Sequence, residues 1–545
     1  MRIEIRFRDG LARAGLLVHG ELSLPSPAVT NVVDLFPSLR DRAYENVPLA
    51  ADEAFVSAWF VSGNEPHAVH PLFHGRFPPG ETVMVANWGT VLPDPSTHVR
   101  HLMTVIGSVP PDAPRYAPAV ATPMNVSLLA WTGFDLFDYG ATDLASIQGR
   151  FLLPEGELGS DALSSGVCTC EGCVKGDLAR HNRGALDREL SLVRRFIHDG
   201  RLRDLVESRC RLDATQVGAL RLLDREYSFV ERWTPITGPT PMRANSAEAL
   251  SRPEVRRFAA RVLERYRPLR TDTVVLLPCS ARKPYTLSRS HRLYTSAIRA
   301  RAHELIVTSP LGIVPRELEL CYPAGHYDVP VTGYWDAEEV SVIATSLRDY
   351  LLRHSFDRII AHLEGGALRV ARVAAEQAGI VLEETVRDGR PTSEASLSAL
   401  DASLDGNRRQ VEDPLRGLAL FQFGCEPDRS GLRTRGRFPR LQYLQGSTPV
   451  FGIDLEAGLL RPTFEGWRRL GDGYRVSIDA FVPQGDILAP GVLDADPRIR
   501  PGDEVLVVGP LALATGRAAM SADEMLASTR GVAVKRRKVM KLKNE

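Results

Sequence analysis

Apolar and polar positions divide the chain into segments with different periodicities. Between about residues 253 and 380, short apolar runs at 274–277, 305–307 and 359–363 alternate with amphipathic stretches. Apolar runs that alternate with helices are typical of a mostly parallel sheet covered by helices on both faces. This segment is therefore predicted to be a doubly wound α/β domain, with a ligand site beyond the carboxyl ends of its strands.

The pattern changes on both sides of this segment. The first part mixes short strands and turns with helices, and a Pro-rich stretch at 235–241 reads as a linker. Residues 387–414 are rich in Ser, Asp, Arg and Gly and are interpreted as an exposed connector, whereas the last 75 residues have short strands and Gly turns typical of a compact β-barrel. The predicted domains are 1–245, 246–395 (α/β), 396–470 (connector and small α+β domain) and 471–545.

Composition narrows the class of protein without revealing a function. The 545 residues include 67 basic and 67 acidic side chains, so the net charge does not indicate a nucleic-acid partner. Because residues 1–10 alternate charged and apolar side chains and no run of about 18 apolar residues occurs, neither a signal peptide nor a membrane span is expected. Seven cysteines are too few for a disulfide scaffold, which favours reduced thiols and a cytoplasmic location.

Three of the cysteines are clustered. Cys168, Cys170 and Cys173 form a C-x-C-x-x-C turn, and Zn²⁺ in proteins prefers four thiolate or imidazole ligands in a tetrahedron. His181 and His198 are both candidates for the fourth ligand. The pattern therefore predicts a structural metal site.

The stretch 278–291 combines several chemically active side chains. Cys279 follows an apolar strand, and Arg282 and Lys283 would favour its thiolate form. Ser290 is a candidate helix cap that would place His291 in a first turn, where its imidazole could move protons near neutral pH. The alternative is that Cys279 is a small buried hydrophobe and that the two cations lie in a solvated loop.

Residues 535–543 contain six cations in nine positions, among them Lys535, Arg536, Arg537 and Lys538. A terminal basic run is usually only solvated. Beside an RNA-binding module, however, contact with phosphates becomes the favoured interpretation, so these four residues are predicted to bind RNA.

Part of the first segment resembles the tRNA-guanine transglycosylases. The resemblance rests on residues 116–123, 133–138 and 149–156 and on the cysteine turn. It implies a degenerate TIM-barrel-like domain and His181 as the fourth zinc ligand. Asp138 matches the family's nucleophile, although from the residues alone an Asp after an apolar run is more often a helix cap or turn former. The family's second carboxylate loop has no counterpart here.

The central stretch resembles the archaeosine synthases, which are paralogues of those transglycosylases. Their pattern is Pro-Cys-x3-Lys-Pro-Tyr-x2-Ser-x2-His, and all seven positions match: Pro278, Cys279, Lys283, Pro284, Tyr285, Ser288 and His291. The last segment likewise looks like a PUA domain, an RNA-binding module. The resemblance implies an enzyme that adds an amine to the nitrile of 7-cyano-7-deazaguanine in the D-arm of tRNA. It also implies lysine or glutamine as donor and a radical-SAM partner that completes the conversion.

This chemistry suggests a role for each residue of the motif. A thiolate can add to the electrophilic nitrile carbon, so we hypothesise that Cys279 is the nucleophile and that His291 protonates the nitrogen. Lys283 would hold the thiolate or a phosphate, and Tyr285 and Ser288 would position the base. The competing mechanism is direct attack by the bound amine, with Cys279 structural.

Two other functions are kept as alternatives. The first is a working tRNA-guanine transglycosylase that uses Asp138. The second is a non-catalytic subunit that binds tRNA for a partner enzyme. Association of two copies of this chain as a homodimer is kept as a further alternative.

Overall fold

The computed structural model describes residues 1–40, 65–69, 81–85, 88–329, 334–411 and 413–542. The chain folds into two compact units, one formed by Met1–Pro235 with Val476–Glu545 and the other by Ile236–Arg475. Helices and strands are mixed in both units, as the sequence predicts. None of the helices in these ranges is long and apolar enough to cross a membrane.

The first unit contains a five-stranded parallel sheet. Its strands lie in the order Ala28–Val29, Leu136–Phe137, Arg115–Ala117, Val83–Val85 and His67–Val69. A separate antiparallel sheet consists of Arg2–Asp9, Ala12–His19 and Leu22–Ser26, and a hairpin consists of Arg150–Leu153 and Gly156–Gly159. Other described helices of this unit span Val32–Leu35, Trp88–Val91, Pro95–Ser108, Val126–Trp131, Gly140–Ile147 and Glu171–Lys175.

Four consecutive helices complete this part of the unit, at Leu178–His198, Leu202–Cys210, Ala214–Arg225 and Tyr227–Trp233. Local signals separate them. Gly200 has a φ of 63°, which ends the first helix without strain, and the side chain of Asp213 accepts a hydrogen bond from the Gln216 N–H and caps the third. The apolar faces of these helices pack into one core with Trp88 and Phe134.

A buried ion pair holds the strand that leads to Asp138. Asp135 is fully buried and accepts hydrogen bonds from the guanidinium of Arg13 and from the backbone N–H of Arg115, the latter at 2.9 Å. Arg13 is 2 % exposed and also donates to the Ala113 carbonyl at 2.9 Å. The buried guanidinium and the buried carboxylate therefore compensate each other in a place that water does not reach.

The second unit is built on a five-stranded sheet in the order Gly312–Pro315, His303–Thr308, Thr273–Pro278, Arg358–Ala361 and Glu383–Glu384. All its pairings are parallel except the first, which is an antiparallel hairpin. The strand Thr273–Pro278 is thus central and directly precedes Cys279. A short parallel pair, Met242–Arg243 with Tyr327–Asp328, lies outside this sheet.

Helices of this unit span Pro253–Glu264, Arg289–Ile298, Ala337–His354, Gly365–Ala378, Glu394–Ser403, Pro414–Phe423 and Phe464–Arg468.

The helix Glu394–Ser403 corrects the interpretation of 387–414 as an exposed connector. Ser393 caps this helix, and Leu400 and Leu404 are fully buried. The helix packs against Arg289–Ile298, so polar composition concealed a short amphipathic helix with a narrow apolar face.

A small antiparallel sheet follows in the chain, with strands Leu432–Arg435, Gln442–Gln445, Thr448–Asp454 and Leu459–Pro462 in sequential order. The buried side chains Tyr443 and Phe451 lie opposite each other on its inner face. This sheet and the helix Pro414–Phe423 form the predicted small α+β region.

The C-terminal segment forms a six-stranded, near-closed β-barrel with the strand order Ile487–Leu488, Val532–Lys541, Ala512–Ala518, Glu504–Val508, Arg475–Ile478 and Val492–Ala495. The helix Ala522–Ala527 begins with a capping box of Ser521 and Glu524.

The prediction of a basic tail is wrong for 535–541, because these residues belong to the strand Val532–Lys541. This strand pairs with Ala512–Ala518 on one side and, near its start, with Ile487–Leu488 on the other. Lys543 lies outside the described residues.

We expect Arg13→Leu to lower the free energy of unfolding by about 3–5 kcal/mol, because it leaves the buried Asp135 carboxylate without its counter-charge. Urea denaturation combined with hydrogen exchange in the strand Leu136–Phe137 measures the loss. The double variant Arg13→Leu/Asp135→Leu is the control and should recover most of the stability. Equal stability of Arg13→Leu and the wild type would contradict this account.

Candidate active site and candidate metal centre

Cys279 lies at the carboxyl edge of the central sheet, next to the end of a neighbouring strand. Cys279 is half-buried, and the hydroxyl of Thr308, the last residue of His303–Thr308, lies near the thiol and favours its thiolate form. Burial raises the pKa of the Cys279 thiol, while Thr308 and the ammonium of Lys283 act in the opposite direction. The thiol is thus in polar surroundings and is not sealed among aliphatic side chains.

Lys283 faces the same place. Its Nζ lies 3.8 Å from the centre of the Tyr327 ring, which gives a cation–π contact. Burial lowers the pKa of Lys283, and the nearby Cys279 and Asp328 oppose this shift. The environment therefore moves the thiol pKa up and the ammonium pKa down, toward each other.

Two tyrosines extend the polar chain into the core. The Tyr285 and Tyr327 hydroxyls are 2.8 Å apart, and the Tyr327 hydroxyl is 2.6 Å from Oγ1 of Thr308. Both tyrosines are buried, and burial raises the pKa of each phenol well above its usual value. Tyr285 and Tyr327 therefore remain neutral and hold Thr308 beside the thiol.

His291 lies in the first turn of the helix Arg289–Ile298, as predicted, but its cap differs. Ser288, rather than Ser290, is the N-cap, and its Oγ accepts a hydrogen bond from the His291 N–H at 3.2 Å. The reason is that Pro284 and the turn Tyr285–Leu287 bring the chain into the helix two residues earlier.

The imidazole of His291 is held in its neutral form. A guanidinium N–H of Arg316 donates to Nδ1 at 2.8 Å, so the ring proton is on Nε2. Burial and the positive charge of Arg316 lower the pKa of His291 to about 3. In the described part of the chain, Nε2 is buried and has no hydrogen bond of good geometry, although the Pro278 carbonyl partly opposes the fall in the pKa of His291.

Arg316 is itself fixed by two acidic side chains. It contacts Glu304 at 2.8 Å and Glu319 at 3.3 Å. Glu319 is buried and also accepts hydrogen bonds from the backbone N–H of Thr286, at 2.9 Å, and from the Thr286 hydroxyl. This network joins the loop that carries the motif to the group that orients His291.

Sequence reasoning missed Thr308, Arg316 and Tyr327. The first had a usable signal, because Thr308 ends the second predicted strand at the sheet edge where ligands are expected. Arg316 and Tyr327 had no such signal in the sequence. They lie beside the motif because the chain folds back toward it after the hairpin of His303–Thr308 and Gly312–Pro315.

Asp138 lies at the carboxyl end of the parallel sheet of the first unit. Its carboxylate is buried and accepts hydrogen bonds from the hydroxyl of Tyr116 and from the backbone N–H groups of Ala119, at 2.9 Å, and Gly140, at 2.6 Å. The position suits a group directed at a ligand, but three donors already occupy its oxygens.

The ligand atoms of Cys168, Cys170, Cys173 and His181 lie within 4.8 Å of one another. Nδ1 of His181 is 3.3 Å from the Cys170 sulfur, and its Nε2–H donates to the Leu152 carbonyl at 3.0 Å. This second bond leaves Nδ1 free of a proton, as a metal ligand requires. The donor set and its geometry therefore fit a tetrahedral zinc ion.

The surroundings explain the choice of His181. Its ring stacks on Phe151 with centroids 3.7 Å apart, and a side chain at Gly172 would collide with the His181 backbone. His198, by contrast, is an exposed residue 2.8 Å from Asp199 and is not part of the cluster.

The four predicted RNA-binding residues are consecutive on the strand Val532–Lys541, and all are exposed. Arg537 is held by two hydrogen bonds to Glu504, each of 2.7 Å. Lys535, Arg536 and Lys538 form no ion pair within the described residues, so these three side chains and the exposed Lys541 carry the accessible charge of this strand.

Two family profiles match parts of the chain. A "Domain of unknown function (DUF5591)" covers residues 255–404, the segment that carries Cys279 and His291. A "PUA domain" covers residues 475–540, in agreement with the C-terminal barrel.

Similar proteins match over greater lengths. The chain is 39% identical to the archaeosine synthase subunit alpha of Methanosarcina acetivorans, over 83% of this chain and 79% of that one. It is 38% identical to the archaeosine synthase of Haloferax volcanii, over 98% and 99% of the two chains. A tRNA-guanine(15) transglycosylase of Methanothermobacter thermautotrophicus is 27% identical over 80% of this chain and 68% of its own. From the near full-length match at this level of identity, it follows that the chain belongs to the archaeosine synthase family.

Proposed function

We propose that this chain acts in archaeosine biosynthesis by adding an amine to the nitrile of 7-cyano-7-deazaguanine already present in tRNA. The observation that carries this proposal is the position of the Cys279 thiol, beside Thr308 and Lys283 at the carboxyl edge of the sheet. Family membership supports the substrate, and the PUA barrel supports an RNA partner.

The first step is addition of the thiol across the C≡N bond. Lys283 takes the thiol proton as the sulfur attacks. A C–S bond forms as one C–N π bond breaks, and the proton held by Lys283 passes to the nitrile nitrogen, which completes a thioimidate. Nε2–H of His291 donates a hydrogen bond to the nitrile nitrogen as negative charge develops there.

In the second step the donor amine attacks the same carbon. The C–S bond breaks, Cys279 leaves as thiolate, and a proton from the amine returns to it. The product is an amidine joined to the donor, and all atoms of nitrile and amine are retained. Lysine is the favoured donor and glutamine the alternative, and a radical-SAM partner would complete the conversion to archaeosine.

Base exchange through Asp138 is less well supported. A carboxylate that accepts three hydrogen bonds has its charge dispersed, which makes it a weaker nucleophile. Labelled guanine incorporated into tRNA would favour that function, whereas tight tRNA binding without any product would favour a non-catalytic subunit.

The metal site is proposed to hold a structural zinc ion through Cys168, Cys170, Cys173 and His181. Four protein ligands leave no open position for a reacting water, so zinc would stabilise the junction of hairpin and helix. Asn182 strengthens that junction, because its side chain accepts from the Leu152 N–H and donates to the Arg150 carbonyl, each at 2.8 Å.

We expect Cys279→Ala to reduce turnover of nitrile-bearing tRNA by at least about a thousandfold, because it removes the attacking atom. Mass spectrometry of the nucleosides, with lysine and glutamine offered separately, measures the product and identifies the donor. Cys425→Ala is the control, since this half-buried thiol donates to the Leu470 carbonyl elsewhere in the unit. Turnover near the wild-type level would instead support direct attack by the amine.

Lys283→Gln should raise the pKa of the Cys279 thiol, since the ammonium of Lys283 favours the thiolate. The rate of iodoacetamide labelling at Cys279, followed by peptide mass spectrometry across pH, reports this pKa. The labelling curve should therefore move to higher pH. Arg282→Gln, which changes an exposed cation of the same loop, should leave the curve in place; an unmoved curve for Lys283→Gln would refute the proposed coupling.

Cys170→Ser is expected to abolish most of the bound zinc and to lower the thermal stability of the first unit, because it removes one of four ligands. Elemental analysis of the purified full chain gives the zinc content, and calorimetry gives the stability. His198→Gln is the matched control and should retain zinc. Loss of zinc in the control but not in Cys170→Ser would show that the ligand set is wrong.

A further inference from the structure

Four arginines lie close together at one edge of the small antiparallel sheet in the second unit. Residues 431–453 contain no acidic side chain and four basic ones, Arg433, Arg435, Arg437 and Arg440. All four are exposed, and none forms an ion pair or a side-chain hydrogen bond within the part of the chain that the structure describes. We call this group the arginine edge.

Several other exposed arginines of the molecule are compensated by carboxylates. Arg183 contacts Asp143 at 2.7 Å, and Arg372 contacts Glu384 at 2.8 Å. Four uncompensated guanidinium groups within eight residues repel one another and create a local positive potential. A binding partner that supplies negative charge would relieve that repulsion.

The register of the sheet directs this charge outward. Arg435 pairs with Gln442, which in turn pairs with Gly452, so these three residues form a row across three strands on one face. Arg433 lies on the same face, two residues earlier along the edge strand. The opposite face carries the buried Tyr443.

A cleft of about 270 Å³ opens on the arginine edge, and its lining includes Arg435, Gly436, Arg440, Gln442 and Gly452. Gly436 has a φ of 93°, and a side chain there would collide with the Arg440 carbonyl, so the turn needs glycine. Beyond the Gly452 α-carbon there is open space where a side chain would stand. The cleft is therefore bordered by two arginines and has a floor without a side chain.

We propose that this cleft binds the sugar–phosphate backbone of the tRNA substrate, as an RNA contact additional to the PUA barrel. The identity of the RNA rests on the proposed function. Guanidinium groups donate two parallel N–H bonds to a phosphate, and the Gln442 amide could also donate to a phosphate oxygen or a ribose hydroxyl. The cleft lining has no aromatic ring on which a base could stack, which favours backbone contacts independent of base sequence.

The test compares the full chain with Arg435→Gln/Arg440→Gln in binding an unmodified tRNA transcript at several salt concentrations. The double variant should bind more weakly, and its slope of log K against log salt should be shallower by roughly two, one for each lost phosphate contact. Arg372→Gln, which removes an exposed but paired arginine, should keep the wild-type slope.

A second variant tests the same cleft without removing arginine. Gly452→Glu places a carboxylate on the open floor and should weaken tRNA binding, whereas the uncharged Gly452→Gln should have a smaller effect. If Arg435→Gln/Arg440→Gln keeps the wild-type slope of log K against log salt, the proposal is overturned. The arginine edge would then be a candidate contact for a protein partner.

These results are separable from the outcome for the reaction. Cys279→Ala should bind tRNA with the wild-type slope even when it yields no product. The wild type could form no amine adduct while the arginine variants still show a shallower slope of log K against log salt. That result would support tRNA binding in the cleft and would contradict the proposed reaction.

Discussion

Parallel pairing of the strand Thr273–Pro278 with a neighbour on each side is the constraint on which the candidate site depends. An inner strand has its backbone groups occupied on both edges, so the chain can leave the sheet only at the end of the strand. Cys279 is therefore placed at the carboxyl edge beside Thr308, where the loops of an open α/β sheet form a crevice. Burial at this position causes the opposite pKa shifts of the Cys279 thiol and the Lys283 ammonium.

A buried polar network then makes the site specific. Arg316 forms ion pairs with Glu304 and Glu319, contacts the Thr286 loop through Glu319, and donates to His291. A buried charge is tolerated when it is paired and hydrogen-bonded, and this network meets both conditions. Its effect is to keep the imidazole neutral with a defined tautomer, so that His291 acts as a hydrogen-bond donor rather than as an imidazolium acid.

Much of the local structure could be predicted from the sequence. Apolar runs predicted the inner strands because a doubly covered sheet needs apolar residues on both faces, and the cysteine spacing predicted the cluster because three thiols on one turn can meet a single ion. Composition was misleading where segments are short. The helix Glu394–Ser403 buries only a narrow apolar face, and the basic strand alternates too weakly to be distinguished from a solvated tail.

The sequence alone determined which chemistry this chain can offer, because the residue types and their spacing define a thiol, a lysine and a histidine within one strand–loop–helix unit and three candidate metal ligands on one turn. Only the tertiary structure decided which partners tune those groups. Thr308, Arg316 and Tyr327 come from segments that meet the motif through chain return and sheet pairing. Contacts between residues far apart in sequence depend on packing of the whole core, and no local pattern encodes them.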